Sequence, residues 1–191
     1  MKITDGGWNS AIGELHEALA GMACTDSGGS ALEADRAFAL WAEKTVALRA
    51  GDKAVYLAGN GASASMASHF AADLVKNAAL RAHVFTDLSQ VTAVVNDLGV
   101  EQMFAFPLRC HARAGDMLVL VSSSGNSPNI LAAARAAREL GLFTVTLSGF
   151  APDNRLRQKG DLNFYLTTQS YGLAENGHTV ILHHWMDAVS L

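Results

Sequence analysis

Val55-Tyr56-Leu57-Ala58 runs into Gly59-Asn60-Gly61-Ala62-Ser63-Ala64-Ser65, and further on Met117-Leu118-Val119-Leu120-Val121 runs into Ser122-Ser123-Ser124-Gly125-Asn126-Ser127-Pro128. Each time an apolar run of strand length breaks at a Gly/Ser loop and resumes as a helix-like segment. The pattern reads as a buried parallel strand, a tight turn and a helix N-terminus. In an open α/β sheet such turns lie together at the carboxyl edge of the strands, where ligands bind. Exposed N–H groups, small hydroxyls and the positive end of the helix dipole favour an anion there. A phosphate-bearing small molecule is the expected ligand. The alternative is a pair of plain connecting turns, and two such loops on buried strands weigh against it.

Outward from these loops, strand and helix signals alternate. Strands are expected at 53–58, 82–86, 116–121, 142–147 and 162–166, and helices at 63–76, 89–95, 101–113, 128–140, 153–159 and 172–189. Pro128 stands just inside the start of one helix, where its missing N–H costs nothing, and Gly141 just past its end. The alternation implies a three-layer α/β fold with a parallel sheet and right-handed crossovers. The first fifty residues look helical: Trp8, Ile12, Leu15 and Leu19 recur at helical spacing, and Leu32, Phe38, Trp41 and Val46 suggest a second helix after the Ser27-Gly28-Gly29-Ser30 break. One domain over residues 1–191 is expected, with 1–50 as a helical N-terminal extension.

Composition narrows the function. The net charge of −4 and pI near 5.9 argue against a nucleic-acid surface, which needs concentrated Lys and Arg. No apolar run reaches membrane-spanning length and no basic-then-apolar leader opens the chain, so a soluble, cytoplasmic protein with no membrane partner is expected. Cys24 and Cys110 have neither metal spacing nor a disulfide framework.

The Gly59 loop lacks the Lys-Ser/Thr ending of a P-loop and the third glycine of a dinucleotide fingerprint, and Asp87, the acidic residue nearest the strand end at 86, falls in a turn. NAD and ATP are therefore disfavoured. Ser122, Ser123, Ser124 and Ser127 offer uncharged hydroxyl donors, suited to a phosphomonoester that must leave again; Ser127 serves as an N-cap on either reading. His69 and Asp73 are four apart on one helix face. On the last helix Glu175 lies about 80° around the axis from His183 and about 60° from His178, whereas His178 and His183 are about 140° apart and do not suit one site. His69 and Asp73 with Glu175 and one of those histidines would give two imidazoles and two carboxylates, a zinc or general acid/base set; a solvated His–Asp pair and surface histidines are the plainer alternative. Asn96-Asp97 reads as a cap or turn unless it reaches the mouth of the site, and Lys76 either meets a phosphate or favours its helix C-terminus.

Taken together, Gly59-Asn60-Gly61-x-Ser63, His69-x-x-x-Asp73, Asn96-Asp97-x-Gly99, Ser122-Ser123-Ser124-Gly125-Asn126-Ser127 and the Glu175-to-His183 helix resemble the sugar isomerase (SIS) domain family, and within it the phosphoheptose isomerase branch. The resemblance covers nearly the whole chain. It implies a flavodoxin-like five-stranded parallel sheet and a homotetramer with active sites between subunits. The implied reaction is aldose–ketose isomerisation of a phosphorylated seven-carbon sugar, sedoheptulose 7-phosphate, to D-glycero-D-manno-heptose 7-phosphate through an enediol.

Carried onto this chain, the resemblance assigns substrate binding to Asn60, Gly61, Ser63, Asp97, Ser122, Ser123, Ser124 and Ser127. It assigns one zinc per subunit to His69, Asp73, Glu175 and His183, and catalysis to Asp73, Glu175 and His183. The chain departs from the family pattern at two of these, with Asp73 for Glu and Glu175 for Gln, which adds a carboxylate and opens the identity of the base. The family's basic residue near the end of the first-loop helix has no identical match; Lys76 and Asn77 flank the place. Two other SIS roles form the alternatives: a non-catalytic tetrameric adaptor for a replication-initiator-type protein, and a phosphosugar-binding sensor. His69 and His183 together favour the enzyme.

Overall fold

The computed structural model of the chain describes residues 7–191. In chain order they form α1 (Gly7–Ala20), β1 (Ala23–Asp26), β2 (Ala31–Leu32), α2 (Ala34–Ala50), β3 (Ala54–Gly59), α3 (Ala62–Ala78) and β4 (Arg81–Val84). There follow α4 (Leu88–Leu98), α5 (Gln102–His111), β5 (Met117–Ser122), α6 (Pro128–Leu140), β6 (Phe143–Ser148), a 3-10 turn (Arg155–Gln158), β7 (Leu162–Tyr165) and α7 (Tyr171–Val189). Every residue of β3 and β5 is buried, as strands covered on both faces must be. The sheet order is β2-β1-β7-β6-β5-β3-β4, with β4, β3, β5, β6 and β7 mutually parallel. This is the flavodoxin-like order. Its strand order reverses between β3 and β5, which opens a crevice between the two Gly/Ser loops at their carboxyl ends.

The five expected strands are all present, but the sheet has seven. β1 and β2 form a hairpin that extends it antiparallel to β7, so the helical extension expected over 1–50 is interrupted by strands within 7–50, its first six residues lying outside the described ones. The Ser27–Ser30 break is the hairpin turn: Asp26 Oδ1 accepts from the backbone N–H groups of Gly28 and Ser30, both at 2.9 Å, and Gly29 takes φ +82°. Strands of four and two residues are too short to show a period. The helix expected over 153–159 contracts to the 3-10 turn, capped by the Asn154 side chain.

Two apolar layers cover the sheet. On one face α2, α3 and α7 bury Trp41, Phe70, Leu74, Leu182 and Trp185; the indoles of Trp41 and Trp185 stack at 4.2 Å, and Trp185 Nε1 donates to Thr45 Oγ1 at 2.9 Å. On the other, α5 and α6 bury Phe104, Leu108, Ile130 and a run of alanines. Among the described residues no helix is long and apolar enough to cross a membrane.

His178 is fully buried in α7, and neither ring nitrogen has a hydrogen-bond partner. Burial pushes its value down to about 4. The unfolded chain therefore binds the extra proton between pH 6.5 and about 4, and stability present above that window is lost as pH falls through it. The loss is about 3 kcal/mol. Urea denaturation at pH 7 and pH 4.5 is expected to show a larger acid loss for the parent chain than for His178→Leu, and equal losses would refute the assignment.

Candidate functional site

A cleft of about 150 Å³ lies at the crevice. The β3–α3 loop contributes Asn60 and Ser63, the β5–α6 loop contributes Ser122, Ser123, Ser124 and Ser127, and α7 contributes Tyr171 and Glu175. Every serine expected at the phosphate is therefore on one wall or another of this cleft. Gly59 lets α3 begin so close to β3: a Cβ there would stand 2.6 Å from the backbone of Ser63. Ser127 occupies the N-cap of α6 yet makes no side-chain capping bond, which leaves its hydroxyl for a ligand. Pro128 has no N–H, and the Ile130 N–H is taken by Asn129 Oδ1 at 3.0 Å. At α6 the anion-binding capacity thus rests on hydroxyls more than on the backbone N–H groups.

Sequence reading missed the residue that joins the two loops. Asn129, buried at the start of α6, donates from Nδ2 to Asn60 Oδ1 at 2.8 Å and accepts from Asn60 Nδ2 at 3.0 Å. This reciprocal pair fixes the spacing between the two loops. Asn126 holds the second loop from outside, donating to Ser124 O at 3.1 Å and accepting from the Arg155 N–H at 3.1 Å. Tyr171 was also missed. Its only signal was its place next to the N-cap of the last helix, and Asn129 carried no signal beyond its place directly after a helix-opening proline.

α3 and α7 run side by side in the same direction away from the cleft. Ser63 and Glu175 face each other across it, Thr179 Oγ1 lies 3.0 Å from Met66 Sδ one turn on, and the rings of His69 and His183 stand 5.9 Å apart beyond that. Asp73 lies 3.3 Å from His69 Nε2 and 3.8 Å from Lys76 Nζ. The structure thus brings His69, Asp73 and His183 to one stretch of the helix seam. Glu175 is in the serine cleft instead, two turns or about 12 Å along the axis from His183. The expected four-residue metal set does not form within one chain: among the described residues, no three His, Cys, Asp or Glu side chains are arranged to hold an ion. The reason is the eight-residue spacing of Glu175 and His183, which puts them near in angle but far in height.

The remaining candidates are also placed. Asp97, exposed at the end of α4, accepts from Asn96 Nδ2 at 2.7 Å and does not line the cleft; nor does Gly61, whose φ of +56° shapes the start of α3. Lys76 is paired with Asp73 and lies outside the cleft. Asp87 is the N-cap of α4, its carboxylate accepting from the Gln90 N–H at 2.9 Å, which accounts for it without a ribose. His184 packs against Phe38 at 4.5 Å.

A crevice at the strand-order reversal, lined by uncharged hydroxyls with a carboxylate among them, has the chemistry to take a phosphorylated small molecule. Residues 31–149 match the family model of the SIS domain, and the chain belongs to the SIS domain family. It is 38% identical over 151 residues to the phosphoheptose isomerase of Streptomyces coelicolor, an alignment that takes in 75% of this chain and 64% of that protein, just under two thirds of its length. To the phosphoheptose isomerase of Geobacter sp. it is 36% identical over 149 residues, 75% of this chain and 77% of the relative. The solved structure of phosphoheptose isomerase from Neisseria gonorrhoeae matches with a TM-score of 0.79 at 27% identity, covering 95% of this chain and 97% of that one.

Proposed function

We propose that the chain works as its relatives are named to: it is a phosphoheptose isomerase, converting sedoheptulose 7-phosphate to D-glycero-D-manno-heptose 7-phosphate. The observation that carries this reading is the cleft itself, where serines of two loops face Glu175 across the strand-order reversal. The phosphate rests on the hydroxyls of Ser63, Ser122, Ser123, Ser124 and Ser127, aided by the positive end of α6. The reacting carbons lie at the opposite end of the sugar from its phosphate, so the base must stand across the cleft from the serines rather than among them. Glu175, across the cleft on α7, meets that condition; Asp73 is engaged with His69 and Lys76.

The carboxylate of Glu175 takes a proton from C1 of the ketose while the C2 oxygen is protonated, which forms the enediol. Returning the proton to C2, with loss of the O1 proton, gives the aldose. A carboxylate facing the cleft and both histidines in place support an enzyme over an adaptor or a sensor.

Assembly belongs to the same proposal. Trp8 and Ile12 on α1 and Val180 on α7 are exposed apolar side chains on packed helices, the kind of surface that further copies in a homotetramer would cover, with His69 and His183 exposed beside it. Zinc remains part of the proposal in a narrower form. Its donors would be His69, Asp73 and His183, whose imidazole and carboxylate groups suit it in kind; within one chain they are not arranged to hold an ion, so the seat would be completed only as copies assemble, and no step above passes through it. Elemental analysis of protein purified without chelator is expected to find about one zinc per chain, lost in His183→Ala. Less than about a tenth of an equivalent, unchanged by that substitution, would refute this seat.

The isomerase reading is tested by following aldose formation from sedoheptulose 7-phosphate by NMR; no aldose at any enzyme concentration sinks it. Ser124→Ala should raise KM with kcat little changed, because phosphate contacts are made equally in the ground and transition states. Asn129→Ala should do the same through Asn60. An unchanged KM in both variants would move the phosphate elsewhere.

A further inference from the structure

A wide cavity lies at the opposite edge of the sheet from the serine cleft. It holds about 550 Å³ at the amino ends of β3, β5 and β6, in the size range of small-molecule sites. Four cations face it, Lys44 of α2, Lys53 before β3, Arg138 of α6 and Lys159 after the 3-10 turn, against one carboxylate, Asp161. None of the four makes an ion pair among the described residues. Asp161 is already engaged, accepting the Thr144 N–H at 2.8 Å. Lys53 Nζ donates to Ala114 O at 2.8 Å, and Lys44 Nζ sits 5.9 Å from the Phe143 ring centroid.

Part of this charge has a local cause. α2 and α6 both end here, and each C-terminus carries the equivalent of about half a negative charge, which draws cations to it. Allowing for both helix ends and for Asp161 still leaves an excess of about two positive charges. The whole chain carries a net charge of −4, so the excess is concentrated against the general trend. The floor is apolar, with Leu48, Met117, Leu142 and the half-buried ring of Phe143. A cationic rim over an aromatic and aliphatic floor suits a ligand that joins a phosphate to a flat ring.

We propose that this cavity is a second binding site, which takes a nucleotide with its phosphates on Lys44, Arg138 and Lys159 and its base against Phe143. The site is independent of the isomerase reading, since no residue of the serine cleft contributes to it.

Calorimetric titration of the full chain with ADP tests it, with adenosine and inorganic pyrophosphate as separate arms. Saturable ADP binding is expected, weakened about tenfold or more in Lys44→Ala/Lys159→Ala, the loss that two charge-assisted contacts entail. Adenosine and pyrophosphate should each bind more weakly than ADP. The double variant should keep the parent far-UV circular dichroism and melting temperature, which shows it folded. No saturable ADP binding at millimolar concentration would overturn the proposal. So would binding that the double variant leaves unchanged, or that sedoheptulose 7-phosphate displaces. Pyrophosphate binding as tightly as ADP would overturn the role of the aromatic floor.

Discussion

Glu175→Gln is expected to lower kcat by about 10²–10⁴-fold, the range that a positioned general base contributes. The amide keeps the size of the side chain and its place across from the serines, so KM should stay within a few-fold of the parent value. The comparison with Asp73→Asn is what makes the test sharp. Asp73 meets His69 and Lys76 in partly exposed pairs at 3.3 and 3.8 Å, and such pairs contribute about 1 kcal/mol at most. Its loss should change turnover only modestly and lower zinc affinity first. Steady-state kinetics of both variants, with metal content measured alongside, decides between them. A Glu175→Gln enzyme near parent activity beside a dead, fully metallated Asp73→Asn enzyme would return the base to Asp73.

Gly125→Ala should be the most damaging single-methyl change in the second loop. Gly125 sits at φ +62°, and a Cβ there would lie 1.9 Å from Oδ1 of the buried Asn154. Asn154 has little room to give way. Its amide donates to Gly149 O at 3.1 Å and Ala151 O at 2.9 Å, with a longer bond to Ser148 Oγ at 3.3 Å, and its oxygen accepts from the Arg157 N–H at 3.1 Å. Backbone strain and the lost buried hydrogen bonds add to about 3–5 kcal/mol, or a fall in Tm on the order of 10 °C in a chain of this size.

Gly141→Ala is the control. Its φ is +74°, but a Cβ would meet only Ala114 Cβ at 3.7 Å, so strain acts there without overlap and the cost should be about 1 kcal/mol. Thermal melts of the two variants compare the terms directly. Equal melting points would mean that Asn154 yields freely and that its packing under the loop is not what holds the serines in place.

The amino-acid sequence by itself determined the parallel sheet and the two loops that open its crevice. Apolar runs of strand length ending in Gly/Ser turns are legible because burial on both faces and a tight turn each demand particular residue types locally. For the same reason Pro128 and Gly141 marked both ends of α6 in advance, and the serines that line the cleft stood out as a cluster. The hairpin at Ala23–Leu32 was not legible, since its strands are too short for a period and owe their form to pairing with β7.

Only the tertiary structure decided how the site residues group. Helical angle placed Glu175 near His183, but the α3–α7 seam divides them, one at the serines and the other two turns further along. Asn129 looked like any residue of a helix start until the fold brought it against Asn60. Turn and strand signals act between neighbours in the chain, whereas these pairings depend on where separate helices come to rest on the sheet, which their packing sets and no short stretch of sequence encodes.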